Sequence, residues 1–297
     1  MRRLALALLV LAVGLVAACG DSDNANSSGN APKDALADVK PITSATVDAV
    51  LRINLDGAPA EIGDRIELTF GGPMRSNGPG KLASLDWKIA FNSGFSDFKS
   101  RVVSTGNNVF VRLGGADFEI GEQTVSRINQ NAAASGKPDG LAAVGLDPLA
   151  AVTGVKESGK ATVAGTETTR YTGSIDVDKA LDQIESFLRQ LPQQSTGGQR
   201  VPQLNLTPER RQQINDTFQS ARFEIDVADD DTIRRILLTA KFVTPEANRQ
   251  AAGGITGGTI EYRVEYAGVG DEVTISPVSG ARPIEEFNAA LERELAK

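Results

Sequence analysis

The feature that most limits the fold is apolar alternation with a period of two, sustained over unusually long segments. From Thr46 to Leu55, the residues Val47, Ala49, Leu51, Ile53 and Leu55 alternate with Asp48, Arg52 and Asn54. An extended chain with that pattern has one apolar and one polar face. The same period predicts strands over Arg65–Phe70, Leu82–Asn92, Phe98–Ser104, Asn108–Leu113 and Asp117–Ile120. Gly71-Gly72-Pro73, Asn92-Ser93-Gly94, Thr105-Gly106-Asn107 and Gly114-Gly115 lie between them as turn signals. The expected product is an antiparallel meander. Its longest strands reach about nine to eleven residues against 5–6 for an ordinary strand, and sheets of such strands twist and curl.

Beyond Gly121 the period changes. Val125, Ile128 and Ala132 fall at helical spacing within Thr124–Ala134, and Asp147-Pro148 is a helix start before Leu149–Val152. Thr162–Asp176 reads as a strand with Gly165 as a turn or bulge. Asp178 opens a helix whose Leu181, Ile184, Leu188 and Leu191 form an apolar stripe ending at Pro192. Thr207-Pro208-Glu209 caps another helix carrying Ile214 and Phe218. Strands follow over Ala221–Ala228, Thr232–Val243, Thr259–Tyr266 and Glu272–Ile275, then a terminal helix over Pro283–Ala296. Gly253–Gly258 is a turn. No linker divides the body, so the expectation is a single α+β domain over residues 41–297. It would be a large curved antiparallel sheet with helices packed on its concave face.

The N-terminus is an address. Met1-Arg2-Arg3 precedes an apolar run from Leu4 to Ala18, then Cys19-Gly20-Asp21. A run of about fifteen residues is shorter than the ~20 a bilayer-spanning helix needs, and fits a cleaved secretory signal over residues 1–18. Val16-Ala17-Ala18-Cys19 resembles a bacterial lipobox, which implies that Cys19 carries the lipid. Residues 19–40 are then a lipidated cysteine and a flexible tether, because GDSDNANSSGNAPK offers almost no large apolar surface to bury. Such a chain is held on the extracytoplasmic face of the cell membrane, in the periplasm or cell envelope.

Composition excludes much chemistry. There is no histidine, so imidazole shuttles, Ser-His-Asp sites and histidine metal sites are absent. Cys19 is the single cysteine, which removes intramolecular disulfides and thiolate clusters. A net charge of −7 with a pI near 4.9 argues against nucleic acid as a partner. Asp229-Asp230-Asp231 lacks the alternating ligands and glycine of a calcium loop and reads as a hairpin turn. Ser96-Asp97-Phe98-Lys99 matches a bare S-x-x-K pattern, yet it enters a strand, where those two side chains point apart. Gly253-Gly254-Ile255-Thr256-Gly257-Gly258 lacks the lysine and helix of a phosphate loop. The chain is expected not to be an enzyme, with no cofactor and no metal.

If the strands pair in order, Leu51, Ile53, Leu68, Phe70, Trp87, Ile89, Phe91, Val111, Leu113 and Phe118 line one apolar surface. On residue chemistry alone, helices 124–134, 178–191 and 207–220 covering and filling that surface are the simpler expectation. The lipobox and tether are followed by long early strands, Phe118-Glu119-Ile120-Gly121, Leu146-Asp147-Pro148-Leu149 and the stretch Val163-Ala164-Gly165-Thr166-Glu167-Thr168-Thr169-Arg170-Tyr171-Thr172-Gly173. Together they resemble the actinobacterial LppX/LprG lipoproteins of the wider LolA/LolB-like superfamily, over most of residues 40–280. The resemblance implies a half-barrel with helices closing a hydrophobic cavity. It also implies an acylated lipid or glycolipid as ligand, carriage across the envelope, and an envelope transporter as partner. The alternative is an envelope scaffold or interaction lipoprotein with a filled core and no ligand. The polar loops 136–146 and 193–206 depart from the family pattern.

Overall fold

The computed structural model describes residue 36 and residues 39–94, 96–134, 151–190 and 207–295. The lipobox, the tether up to residue 35, Leu146-Asp147-Pro148-Leu149 and both polar loops fall outside them. Alternation becomes sheet almost wherever the sequence shows it. The first half forms β1 (Ser44–Asp56), β2 (Arg65–Arg75), β3 (Ser84–Ser93), β4 (Ser96–Thr105), β5 (Val109–Leu113) and β6 (Ala116–Glu119). The second half forms β7 (Val152–Val163), β8 (Thr166–Ile175), β9 (Phe218–Ala228), β10 (Ile233–Val243), β11 (Gly257–Ala267) and the short β12 (Arg282–Pro283). Among the described residues four α-helices accompany them: α1 (Glu122–Ala134), α2 (Val177–Gln190), α3 (Pro208–Thr217) and α4 (Phe287–Leu295).

All twelve described strands belong to one open, mostly antiparallel sheet, in the order β12-β6-β5-β4-β3-β2-β1-β11-β10-β9-β8-β7. It consists of two meanders, β1–β6 and β7–β11, zipped together where β1 pairs β11 along its length. Residues directly opposite each other on neighbouring strands face the same side. The register therefore sets Phe98, Phe91, Leu68, Leu51, Tyr262, Leu238 and Phe223 in one row across seven strands. The apolar side of both meanders is the same side of the sheet.

The opposite side is charged. Arg101 grips Asp86 at 2.6 and 2.5 Å, Arg112 grips Asp117 at 2.9 and 2.6 Å, and Arg52 bridges Glu67 and Glu261. The Asp86 and Glu67 carboxyls are held below the usual carboxylate range, first by hydrogen bonds from Arg101 and Arg65 respectively. Asp226 is wholly buried (0% exposed) between Arg170 at 2.9 Å and Arg235 at 2.7 Å.

Helices cover part of the apolar side. Val125 of α1 is buried in the cluster that contains Trp87, Phe70 and Ile89. Phe287 of α4 meets Phe118 edge-on at 5.5 Å, and Ala290 is buried with Leu113 and Phe118. α3 buries no residue and joins α2 through ion pairs of Arg211 with Asp182 and Glu185. Upstream of β1, Leu36 is buried with Val152, Phe223, Ile225 and Val227, and Lys40 bridges Thr232.

Several local expectations are corrected. Gly71-Gly72-Pro73 lies inside β2 rather than in a turn. A Cβ on Gly71 would stand 2.3 Å from the Val47 carbonyl oxygen, and one on Gly72 2.2 Å from that of Asp86. The glycines therefore let adjacent strands close up where a side chain would part them. Val152, expected at the end of a helix, opens β7, and the strand Thr162–Asp176 is a hairpin folded at Ala164-Gly165. Phe218 begins β9 instead of closing a helix, and Gly257-Gly258 starts β11. Residues 271–278 form no strand. β1 and β11 already have partners on both sides, so this short stretch docks Val273 without joining a ladder.

Candidate functional site

The ten residues that alternation assigns to one apolar surface do share a side of the sheet. Leu51 faces Leu68, Leu68 faces Phe91, Phe70 faces Ile89, Trp87 and Val111 both face Val102, and Val111 faces Phe118. Their surroundings differ. Leu68, Phe70, Trp87, Ile89, Phe91, Val111, Leu113 and Phe118 are buried, whereas Leu51 and Ile53 remain partly accessible. The accessible end continues across the seam and into the second meander. Ile53 faces Ile66 and Ile260, Tyr262 faces Leu238, and Phe242 lies over Gly258. All of these residues except Gly258, which is buried, are partly accessible.

Tyr262 marks the character of this region. Its phenol is pushed up to about 12 by burial alone, with no charge or hydrogen bond contributing. Yet its side chain is still in part reachable from outside. Tyr262 stands at the border of the main apolar cluster and packs against it. Gly173 and Gly258 shape the same region. The Phe223 ring lies where a Cβ on Gly173 would be, 2.3 Å from its Cε1, and Phe242 carbons stand 3.0 Å from a Cβ built on Gly258. Aromatic rings are thereby laid down against neighbouring strands.

Sequence reasoning missed Leu238, Phe242, Ile260 and Tyr262, and placed Ile66 in a strand without assigning it to this surface. The signal was present, since β10 and β11 alternate like β1. What was missing was the β1–β11 pairing, which joins residues about 200 positions apart. Buried Trp87 stacks on Phe70 with ring centroids 5.4 Å apart, and its indole Nε1 has no hydrogen-bond partner.

The other sequence motifs stay apart from this region. Ser96 opens β4 and faces Ser93, with Lys99 on the opposite side of the strand. Asp229–Asp231 form the β9–β10 turn, where the Asp230 carboxylate accepts from the Thr232 amide and hydroxyl and from Arg234. Among the described residues no group of three or more His, Cys, Asp or Glu is placed to hold a metal ion. No described helix is long and apolar enough to cross a membrane.

No family model and no curated protein matches the chain. Among solved structures it is similar to the lipoprotein LppX of Mycobacterium tuberculosis, at 15% identity over 82% of this chain and 93% of that one, with a TM-score of 0.35. It is also similar to LprF of Mycobacterium bovis, at 12% identity over 85% and 99%, with a TM-score of 0.36. A DUF1329 family protein of Desulfovibrio piger shares 11% identity over 82% and 94%, with a TM-score of 0.22. LppX is also one of the lipoproteins the sequence resembles. Likeness at these scores says nothing further about what the chain does.

Proposed function

We propose that this chain is a membrane-anchored lipoprotein, lipidated at Cys19, that holds an acylated lipid or glycolipid in an apolar recess and carries it across the cell envelope. The observation that carries the reading is the accessible apolar seam around Leu51, Ile53, Ile260, Tyr262 and Leu238, with a desolvated but unsealed phenol at its centre. The lipobox and the sequence resemblance support the same reading. Moving a sixteen-carbon acyl chain into water costs ~12 kcal/mol at ~0.8 kcal/mol per CH₂, so a lipid crosses an aqueous gap only when sheltered. A sheet apolar on one side and charged on the other can supply that shelter by shape alone. In this reading the sheet curves around the recess, α1 and α4 close one end, and no bond is made or broken. An envelope transporter is the partner expected to load or unload the lipid.

The test is mass spectrometry of organic extracts from protein expressed without residues 1–19 and purified without detergent. Lipid in stoichiometric amount, lost in a folded Leu238→Glu variant, is the expected result. Lipid-free protein that also refuses acyl probes would leave the scaffold lipoprotein as the better account.

A further inference from the structure

The apolar face does not open evenly along its strands. On β1, Ala45, Val47 and Ala49 are buried, whereas Leu51, Ile53 and Leu55 further along the same face are partly accessible. The neighbouring strands repeat the gradient. β2 buries Phe70 and Met74 and leaves Ile66 partly accessible, and β11 buries Val264 and Tyr266 and leaves Ile260 and Tyr262 partly accessible. The registers Ala45↔Met74, Val47↔Tyr266, Ile53↔Ile66 and Ile53↔Ile260 bring the buried residues to one end of all three strands. The sheet thus has a sealed pole, where β1 begins and β11 ends, and an open pole, where β1 ends and β11 begins. The thirteen residues of β1 set the two ~40 Å apart.

The chain upstream of β1 is held near the sealed pole. Ile42 is buried in the main apolar cluster. The Lys40 amide donates to the Asp231 carbonyl at 2.8 Å, and its ammonium meets the Asp231 carboxylate at 3.0 Å, in the turn between β9 and β10. Val39 packs on the cluster of Val152, Phe223, Ile225 and Val227, and Leu36 is buried within it. Four residues separate Leu36 from Lys40, so Leu36 lies at most ~14 Å from that turn. Resting on the reading of the chain as a lipid carrier anchored at Cys19, we infer that the sealed pole faces the anchoring membrane and the open pole is turned away from it. Lipid is then taken up and released on the far side. Seventeen residue steps join Cys19 to Leu36. They span ~60 Å fully extended and ~23 Å as the flexible chain that GDSDNANSSGNAPK implies. Turning the open pole to the membrane lifts the attachment point by most of the length of the sheet. The tether is then stretched past its relaxed span, at a cost in chain entropy that the opposite orientation does not incur.

The test uses the full lipidated chain in phosphatidylcholine vesicles. With the Cys19 thiol taken up by lipid, Asp229→Cys in the β9–β10 turn or Glu61→Cys in the β1–β2 turn supplies the single reactive thiol. Each carries a fluorescent donor, and the acceptor is a dye on lipid head groups. Transfer from position 229 is expected to exceed transfer from position 61 several-fold. Equal transfer, or the reverse order, overturns the inference. Should Asp229→Cys fail to fold, Glu167→Cys near the start of β8 reports on the same pole. Exchange is read with pyrene-labelled phosphatidylcholine, whose excimer emission falls as lipid leaves a pyrene-rich vesicle. The label is placed either in the anchoring vesicles or in a second population. Uptake by the anchored chain is expected to be several-fold faster from the second population. Faster uptake from the anchoring bilayer overturns the assigned direction. No uptake from either overturns the carrier reading, while the two donor positions still decide which pole faces the membrane. A chain that does not sediment with vesicles overturns the anchor at Cys19, and the inference with it.

Discussion

The β3–β6 end of the sheet and the β1–β11 seam carry the same kind of side chain on the same face, and they end in different states. At the first, Phe118 is 1% exposed because α4 sets Phe287 against it, and α1 adds Val125 to the neighbouring cluster. At the seam, Leu51, Ile53, Tyr262 and Leu238 keep part of their surface accessible. Apolar alternation therefore states which face avoids water, and the elements laid over that face decide whether it is sealed or left partly accessible. The difference separates residues sealed within the protein from residues that keep contact with solvent.

The largest effects belong to the closed end. Phe118→Ala should cost about 3–5 kcal/mol by the loss of a fully buried aromatic and the cavity behind it. Leu238→Ala at the seam should cost only roughly 1–2 kcal/mol, because less surface returns to water. Urea unfolding of both variants tests this, and equal losses would erase the distinction between the sealed and the accessible end. Asp226→Ala should cost about 1–3 kcal/mol, since it removes the buried acceptor between Arg170 and Arg235 and leaves them Glu224 and solvent. A loss under 1 kcal/mol would show that those arginines find water instead.

A smaller effect is expected from Tyr262. Its ordinary value is 10.0 and burial raises it to about 12, so the folded state holds the phenol proton more firmly than the unfolded state. Below pH 10 its contribution is fully present, and it is lost as pH rises through about 12. Tyr262→Phe should be flatter over that window in denaturation against pH, and bound lipid should move the phenol titration higher still. A phenol that titrates near 10 by ultraviolet absorbance would mean the seam is open water. The smallest effect is expected on the charged side. Asp86→Asn should cost less than about 1 kcal/mol, as for most partly exposed pairs. Because Arg101 lowers the Asp86 carboxyl, that contribution is present above the usual carboxylate range and fades as pH falls through the lowered value.

Most of the sheet was legible because each strand of β1–β6 has one dry face, and alternation records that face residue by residue. β7 was not, and the reason is physical. VTGVKESGKATV forms the outer strand of the sheet and is exposed on both faces along most of its length, with two irregularities in its register. An edge strand wet on both sides has no alternation to show. Gly71-Gly72-Pro73 misled in the opposite direction. The same three residues that mark a turn in isolation serve a strand when neighbouring backbones approach too closely for a Cβ.

The site was half legible. Ten residues were assigned to one side of the sheet from their own strands. Tyr262, Ile260 and Leu238 joined them only through the pairing of β1 with β11.

The sequence by itself determined which side chains leave water, because that preference is written locally, every second residue, in the chemistry of the side chain. It also determined that the protein has no imidazole chemistry and one thiol. The tertiary structure alone decided which apolar residues are sealed, which strand meets which across 200 residues, and that one indole N–H is left without an acceptor. Those properties depend on what lies opposite a residue in space, and a period of two specifies a face without specifying its neighbour.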